Sequence, residues 1–231
     1  PGELSPQAMG LFVGPDGGVL VADMANQRML RVDTEGEPLE TRPIDMTAGI
    51  PMLFAPGGDG GVYQQVRLMA LPGMAPIEGG PRDFILALRP DGSIADTLAE
   101  LASGTTFEFG AGGMPSIRIF SPENVWAVTT EGRLVTGVNS TYSLELREPG
   151  GEPTMVLRRE SARRPVTDSD QRSFRQAMRR AWTDAGMPEA MAAQMEQAVQ
   201  FEANWPALAA LIPGPEGTLW VQRGDPDGEL D

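Results

Sequence analysis

A strand–turn–strand pattern that recurs along the chain constrains its fold more than any other feature. Residues 8–21 read AMGLFVGPDGGVLV, two apolar runs around a turn-forming cluster of Gly, Pro and Asp. The same arrangement returns at residues 51–63, 117–128 and 208–221. The first two turns, near Pro15 and Pro56, lie 41 residues apart, a spacing that is typical of stacked four-stranded repeats. We therefore predict an all-β chain of small sheets packed on one another.

A polar motif follows the first copy, where Asp23, Asn26 and Arg28 are spaced as D-x-x-N-x-R between two apolar runs. This segment resembles an NHL repeat, and the match covers one repeat in full. The resemblance implies a β-propeller of the bacterial NHL-like or TolB-like six-bladed kind. In NHL-type blades these polar residues mainly fix the strand connection through hydrogen bonds to the backbone, and we expect that role here. A ligand role is the alternative.

The number of repeats departs from that family. We count four inner turns, and the last repeat stops after its second strand. A six-bladed ring needs about 40 more residues for each missing blade, so we expect the ring to be incomplete in this chain. The predicted parts are propeller blades over residues 1–160, a helical hairpin insertion over 161–204, and the first strands of a further blade over 205–231.

Residues 168–202 carry a helical pattern between the strands. Thr167 can cap a helix together with Asp170 three residues later, and Gly186 can end it. Pro188 suits the first position of a second helix. The expected apolar stripes are Phe174, Ala177, Met178, Ala181 and Trp182 in the first helix and Met191, Met195, Ala198 and Val199 in the second. We predict a helical hairpin that docks through these stripes.

Three residue types on which most enzymes depend are absent. The chain has no Cys and no His, and all 18 of its basic residues are Arg. Thiolate nucleophiles, imidazole bases and Schiff-base lysines are therefore excluded. We predict that the protein is not an enzyme and that it holds no metal or cofactor.

Three stretches invite a ligand interpretation, and we interpret each as ordinary loop chemistry. The acidic stretch 225–231 lacks the twelve-residue spacing of a calcium loop. Asp59 lies in a Gly-rich turn. Residues 110–113, Gly-Ala-Gly-Gly, have neither the Lys nor the helix that would bind phosphate.

The formal net charge of −14 conceals one basic island. Residues 1–150 carry 9 Arg against 19 acids and residues 181–231 carry 1 against 9, whereas residues 151–180 carry 8 Arg against 4 acids. Because arginine binds carboxylates and phosphates well, we predict an interaction surface for an acidic protein or for anionic lipid head groups. Its predicted members are Arg158, Arg159, Arg163, Arg164, Arg172, Arg175, Arg179 and Trp182, with Arg180 beside them. The alternative is an exposed helix face whose arginines pair with the protein's own acids.

These observations favour a non-catalytic scaffold for protein–protein interaction. We expect an extracytoplasmic accessory subunit, periplasmic or at the cell surface, that docks on a larger, membrane-bound complex such as a respiratory or photosynthetic one. The chain itself has no apolar run of about 18 residues, the length of a membrane span. Nucleic acid is not expected as a partner, because the acidic remainder of the chain would repel phosphate.

Two alternatives stay open. One is a Ca²⁺-dependent propeller enzyme of the lactonase or lyase kind. The other is a small-ligand or glycan binder that uses Tyr63, Trp126 and Tyr142, although rings of this kind also suit blade packing. Methionines around the second repeat are expected to fill core gaps, and Met74 is the best candidate among them for an exposed contact.

Overall fold

The computed structural model describes residues 4–5, 8–13, 17–57, 61–70, 75, 77–104, 107–109 and 115–225. Its contacts divide the chain into two compact units. Unit 1 comprises Pro1–Ala70, Ala75–Ala102 and Pro149–Gly151, and unit 2 comprises Leu71–Met74, Ser103–Glu148 and Glu152–Asp231.

Unit 1 contains two four-stranded antiparallel sheets whose strands follow one another in chain order. The first consists of β1 (Ala8–Val13), β2 (Val19–Asp23), β3 (Arg28–Val32) and β4 (Pro38–Pro43), and the second of β5 (Ile50–Pro56), β6 (Val62–Leu68), β7 (Arg82–Leu88) and β8 (Ile94–Ala102). The turn after β3 is tight because Gly36 takes the left-handed conformation, with φ 89°. Gly92, with φ 84°, does the same after β7.

The two sheets of unit 1 pack on each other through apolar residues. Ala22 and Met29, which are cross-strand neighbours on β2 and β3, form a buried cluster with Ile44 and Val62. Phe12, Leu20, Met24 and Phe54 surround this cluster. An apolar sheet face is unfavourable in water, so burial against the next sheet stabilises both sheets.

An ion pair with a fully buried carboxylate joins the second strand to the third in each sheet of unit 1. Arg67 of β6 donates twice to Asp83 of β7, from Nε to Oδ1 at 2.7 Å and from Nη2 to Oδ2 at 2.9 Å. Gln65 Nε2 donates to Asp83 Oδ2 at 2.8 Å. In the first sheet Asp23 of β2 lies opposite Arg28 of β3 and accepts from its Nε at 3.1 Å. In the first sheet the carboxylate is on the second strand and the guanidinium on the third. In the second sheet this order is reversed.

The described residues of unit 2 form three sheets and two α-helices. The four-stranded antiparallel sheet consists of β11 (Asn124–Val128), β12 (Leu134–Val138), β13 (Ser143–Arg147) and β14 (Pro153–Arg158). The other strands are β9 (Phe107–Phe109), β10 (Pro115–Ile119) and β15 (Val199–Phe201) in one sheet and β16 (Leu208–Pro213) and β17 (Leu219–Arg223) in another. The helices are α1 (Asp168–Asp184) and α2 (Glu189–Ala198).

The core of unit 2 lies between the four-stranded sheet and the β16–β17 hairpin. Val125, Val135 and Leu144 contribute from the first, and Leu208 and Leu211 contribute from the second. Leu208 is fully buried, and β11 contacts β16 along its length. As in unit 1, successive antiparallel sheets cover one another's apolar faces. The predicted fold class, an all-β chain of propeller blades with an inserted helical hairpin, is confirmed.

Residues 117–128 do not form one hairpin, contrary to the repeat prediction. They contain β10 and β11, which belong to different sheets. The chain leaves β10 at Phe120, whose φ is 65°, and Asn139 then holds Glu123 by accepting its backbone N–H on Oδ1 at 2.9 Å. The hairpin of this sheet is β11–β12, closed by the turn at residues 130–132. Turn residues alone do not distinguish a hairpin from a connection between sheets.

The helical hairpin is shorter than the predicted residues 168–202. Val199–Phe201 forms β15, which pairs in parallel with β10. Val199 is buried as a strand residue, and Ala192 is the buried residue of α2. Three members of the predicted stripes, Ala177, Ala181 and Met191, are exposed instead. A periodic stripe fixes which residues share a helix face, but the width of the covered face depends on what packs against it.

We predict that Asp83→Ala lowers the free energy of unfolding by about 3–5 kcal/mol, because it removes the carboxylate that holds the buried Arg67 in two places. Equilibrium urea unfolding measures this loss. The double variant Arg67→Met/Asp83→Leu should recover much of it, since no buried charge is then left. An unchanged unfolding midpoint in Asp83→Ala would contradict the assignment.

Candidate interaction surface

An aromatic cluster docks the helical hairpin on its sheet. The rings of Phe120 and Trp205 have centroids 4.2 Å apart, and Phe174 of α1 meets Phe120 edge-on at 5.0 Å. Phe201 of β15 lies 6.2 Å from Phe120 and 6.3 Å from Phe174. Trp205 is 8% exposed, so the cluster is largely closed to water. These geometries are the edge-to-face and tilted arrangements that aromatic pairs prefer.

The N-terminus of α1 is tied to the same cluster. Thr167 and Asp170 form the predicted capping box: Thr167 Oγ1 accepts from the Asp170 N–H at 3.2 Å, and Asp170 Oδ2 accepts from the Thr167 N–H at 2.9 Å. Trp205 Nε1 also donates to Asp170 Oδ2, at 3.3 Å. The hydrogen bonds from Thr167 lower the pKa of the Asp170 carboxyl, with Trp205 and Arg164 contributing. The carboxylate therefore stays ionised and completes the cap.

Four arginines of the predicted surface hold the hairpin together, and Arg163 and Arg164 are the first two. Arg163 Nε donates to the Trp205 carbonyl at 3.1 Å, and its Nη2 reaches the Asn204 carbonyl at 3.4 Å. Arg164 lies over the Trp205 ring at 5.7 Å and 3.5 Å from Asp170. Both guanidinium groups therefore anchor the segment that enters α1.

Arg175 caps the end of α2. Its Nη1 donates to the carbonyls of Glu196 and Val199, both at 2.9 Å, and its guanidinium lies 5.0 Å from the centre of the Phe201 ring. The last carbonyl groups of a helix have no partners within the helix, so a cation at this point satisfies them and opposes the negative end of the dipole.

Arg179 pairs with two acids of α2. Its guanidinium forms an ion pair with Glu189, and its Nη1 lies 3.2 Å from Glu196 Oε2. Hydrogen bonding to Glu189 is the main reason that the pKa of Arg179 is raised, with the charges of Glu189 and Glu196 adding to it. Arg164 and Arg179 thus form ion pairs with acids of the protein itself, which is the alternative interpretation of the basic island.

Three arginines are left on the outside. Arg158, at the end of β14, and Arg172 and Arg180, on the outward face of α1, are exposed, and they make no ion pair within the part of the chain that the structure describes. Arg159 lies over the ring of Tyr142 at 5.7 Å. Trp182 is half-buried and lies on the inner side of α1.

The residues of the Asp23 motif are joined to one another by hydrogen bonds. Asn26 Nδ2 donates to Asp23 Oδ2 at 2.8 Å, Arg28 donates at 3.1 Å, and Ser5 donates through its hydroxyl and its N–H. These three partners therefore meet at one side-chain carboxylate. Burial alone would raise the pKa of Asp23, but the hydrogen bonds from Asn26, Ser5 and Arg28 outweigh it and lower the pKa to about 2.

Several functional and docking residues escaped the sequence reasoning. Phe120 lies far from Phe201 and Trp205 in the sequence, so no periodic pattern marks the three as one cluster. The strand β14 is exposed at all six positions, including Met155 and Leu157, although its composition is that of a buried strand. Of the rings considered for ligand binding, Trp126 and Tyr142 are buried at 8% exposure, and Tyr63 is half-buried.

Some predictions fall outside the described residues: the Asp59 turn, the 110–113 loop, the exposed contact at Met74 and the acidic stretch after Asp225. Within the described ranges no group of three or more Asp or Glu side chains is placed to hold a metal ion. In the same ranges neither helix is long and apolar enough to cross a bilayer.

Comparison with known proteins gives structural likeness without sequence relatives. No protein-family model matches the chain, and no curated protein matches it. Virginiamycin B lyase from Staphylococcus aureus superposes with a TM-score of 0.41 at 13% identity, over 99% of this chain and 56% of that one. A streptogramin B lyase gives 0.41 at 14% identity, over 98% and 55%. A Bacteroides caccae protein of unknown function gives 0.39 at 9% identity, over 97% and 75%.

The chain thus spans about half the length of the two lyases. Likeness at these scores carries no argument about activity, because unrelated functions share one fold. The arrangement of the chain's own residues is what remains to indicate a function.

We predict that Asp23 makes the protein acid-sensitive in a defined range. Its folded pKa of about 2 lies below the ordinary value of 3.8, so its contribution to stability is complete above pH 4 and is lost as the pH falls towards 2. The variant Asp23→Asn should be less stable at neutral pH and should lose less further stability over that range. Urea unfolding between pH 2 and 5 measures this, and the exposed Asp96→Asn is the control; equal acid slopes in wild type and Asp23→Asn would contradict it.

We predict that Arg175→Met loosens the end of α2 at a cost of about 2 kcal/mol, because two partly buried carbonyl groups lose a charged donor. Hydrogen–deuterium exchange of peptides covering residues 189–201 should accelerate, while peptides from unit 1 keep their rates. Arg172→Met, on the exposed side of the same helix, is the matched control. Similar exchange in both variants would argue against the capping role.

Proposed function

We propose that this protein is a non-catalytic interaction module that binds an acidic surface on a partner protein. The observation that carries the proposal is the set of exposed arginines without ion-pair partners in the described structure, Arg158, Arg172 and Arg180. The molecule around them is strongly acidic, with a net charge of −14. An exposed guanidinium fork offers several donors to carboxylates on another protein.

The rigidity of the hairpin supports this proposal. Inward-facing arginines and the aromatic cluster fix α1, so Arg172 and Arg180 lie two helical turns apart on a positioned surface. Two cations at a fixed spacing lose less conformational freedom on binding than cations on a mobile loop. The sheets then support this surface, the outward face of α1, which carries Arg172 and Arg180.

The wider setting is part of the same proposal. We place the protein outside the cytoplasm as an accessory subunit of a larger, membrane-bound complex, respiratory or photosynthetic, and assign it to the NHL-like, six-bladed propellers. The D-x-x-N-x-R spacing of Asp23, Asn26 and Arg28 supports the NHL assignment. The alternative hypotheses are binding to anionic lipid and Ca²⁺-dependent catalysis. The following experiments distinguish both from binding to a partner protein.

We predict that Arg172→Gln/Arg180→Gln weakens binding to the partner about tenfold, from about 0.7 kcal/mol for each exposed ion pair lost. The tagged protein is captured from envelope extract of its source cells, and the partner is quantified by mass spectrometry. Gln194→Glu/Gln197→Glu on α2 is the matched control, since it lowers the net charge by the same amount at exposed positions.

The control should retain the partner. Equal loss in both double variants would show a general charge effect and overturn the assignment to the outward face of α1. Binding to phosphatidylglycerol vesicles that depends on Arg172 and Arg180 would replace the protein partner by a lipid surface. Tight Ca²⁺ binding in calorimetry would favour the enzyme reading instead.

A further inference from the structure

Two consecutive glutamines on β6 face opposite sides of their sheet and differ in the hydrogen bonding of their amide groups. Gln65 is 2% exposed and donates its amide to Asp83. Gln64 is 3% exposed, and its Nε2 has no hydrogen-bond partner in the described structure. A buried amide without a partner costs about 1–3 kcal/mol, so such groups are rare in native proteins and require an explanation.

A cavity lies beside Gln64, within unit 1. Its volume is about 20 Å³, and Gln64 lines it together with Met29, Phe54 and Val62 from the apolar interface of the two sheets. A cavity needs a volume of about 10–15 Å³ to hold one water molecule. The cavity is therefore large enough for a single water molecule and too small for a metabolite.

The remaining wall of the cavity is mixed, with Ile44 and Leu88 beside charged residues of both signs. Arg42, which is 7% exposed, donates from Nη1 to the carbonyl groups of Pro90 and Arg89. The carboxylate of Asp45 lines the same cavity and accepts from the Thr47 N–H at 2.7 Å. A negative guest would meet Asp45 and a positive guest would meet Arg42, so a neutral guest that both donates and accepts suits the site best.

We infer that this cavity is a binding site for one ordered water molecule, which accepts a hydrogen bond from Gln64 Nε2. The lining residues come from both sheets, with Arg42 on β4 and Gln64 on β6, so the water connects the two sheets. It satisfies an amide that the protein itself leaves unpaired. It also places a polar bridge at the border of the apolar cluster of Ala22, Met29, Ile44 and Val62.

The test compares wild type with Gln64→Met, which keeps the length of the side chain and removes the donor. Water-¹⁷O relaxation dispersion counts long-lived internal waters, and we expect one fewer in the variant. Urea unfolding should show a lower midpoint, since the bridge is lost. Gln194→Met, at an exposed position of α2, controls for the change in composition.

Equal water counts, or a higher unfolding midpoint in Gln64→Met, would show that the cavity is dry and overturn the inference. If Gln64→Met does not fold, Gln64→Leu supplies the same measurement, because it also removes the amide donor and should also show one long-lived water fewer. A bromide peak at Gln64 in anomalous diffraction from bromide-soaked crystals would overturn it in a different way, by assigning the site to a halide.

Discussion

The packing of small antiparallel sheets against one another is the constraint on which the rest of the structure depends. A four-stranded sheet of five- to nine-residue strands has two faces and little interior, so it is stable only when a neighbouring sheet covers one face. In unit 1 the cover comes from Val62 and Phe54 lying on Ala22 and Met29. In unit 2 it comes from Leu208 and Leu211 lying on the β11–β13 strands.

The aromatic cluster extends the same principle to the helices. No residue of α1 is fully buried, so the hairpin has little core of its own. Its position depends on a few contacts: Phe174 on Phe120, the Thr167–Asp170 cap on Trp205, and Arg175 on the end of α2. Arginine is suited to this work because it stacks on rings and satisfies several carbonyl groups at once. Some arginines of the basic island therefore hold the hairpin in place, and others lie on its exposed surface.

Local patterns in the sequence predicted the elements well and their partners less well. The strand–turn–strand repeats, the Thr167 cap and the two helices were readable because each depends on neighbouring residues. The sheet assignment of 117–128 and the parallel pairing of β15 with β10 were not, because partner choice between strands far apart in sequence depends on tertiary contacts. The distribution of charge along the sequence located the basic island. Only the structure shows that Arg175 and Arg179 contact α2, whereas Arg172 and Arg180 are exposed. The buried amide of Gln64 has no sequence signal at all.

The exchange of charges between the two sheets of unit 1 has a consequence for how the repeats find their partners. β2 offers a carboxylate and β3 a guanidinium, whereas β6 offers a guanidinium and β7 a carboxylate. If β2 paired with β7 by mistake, Asp23 would lie opposite Asp83, and β6 against β3 would set Arg67 opposite Arg28. Like charges buried opposite each other are strongly unfavourable. Similar repeats within one chain can exchange strands while folding, and the reversed polarity disfavours such an exchange between these two sheets.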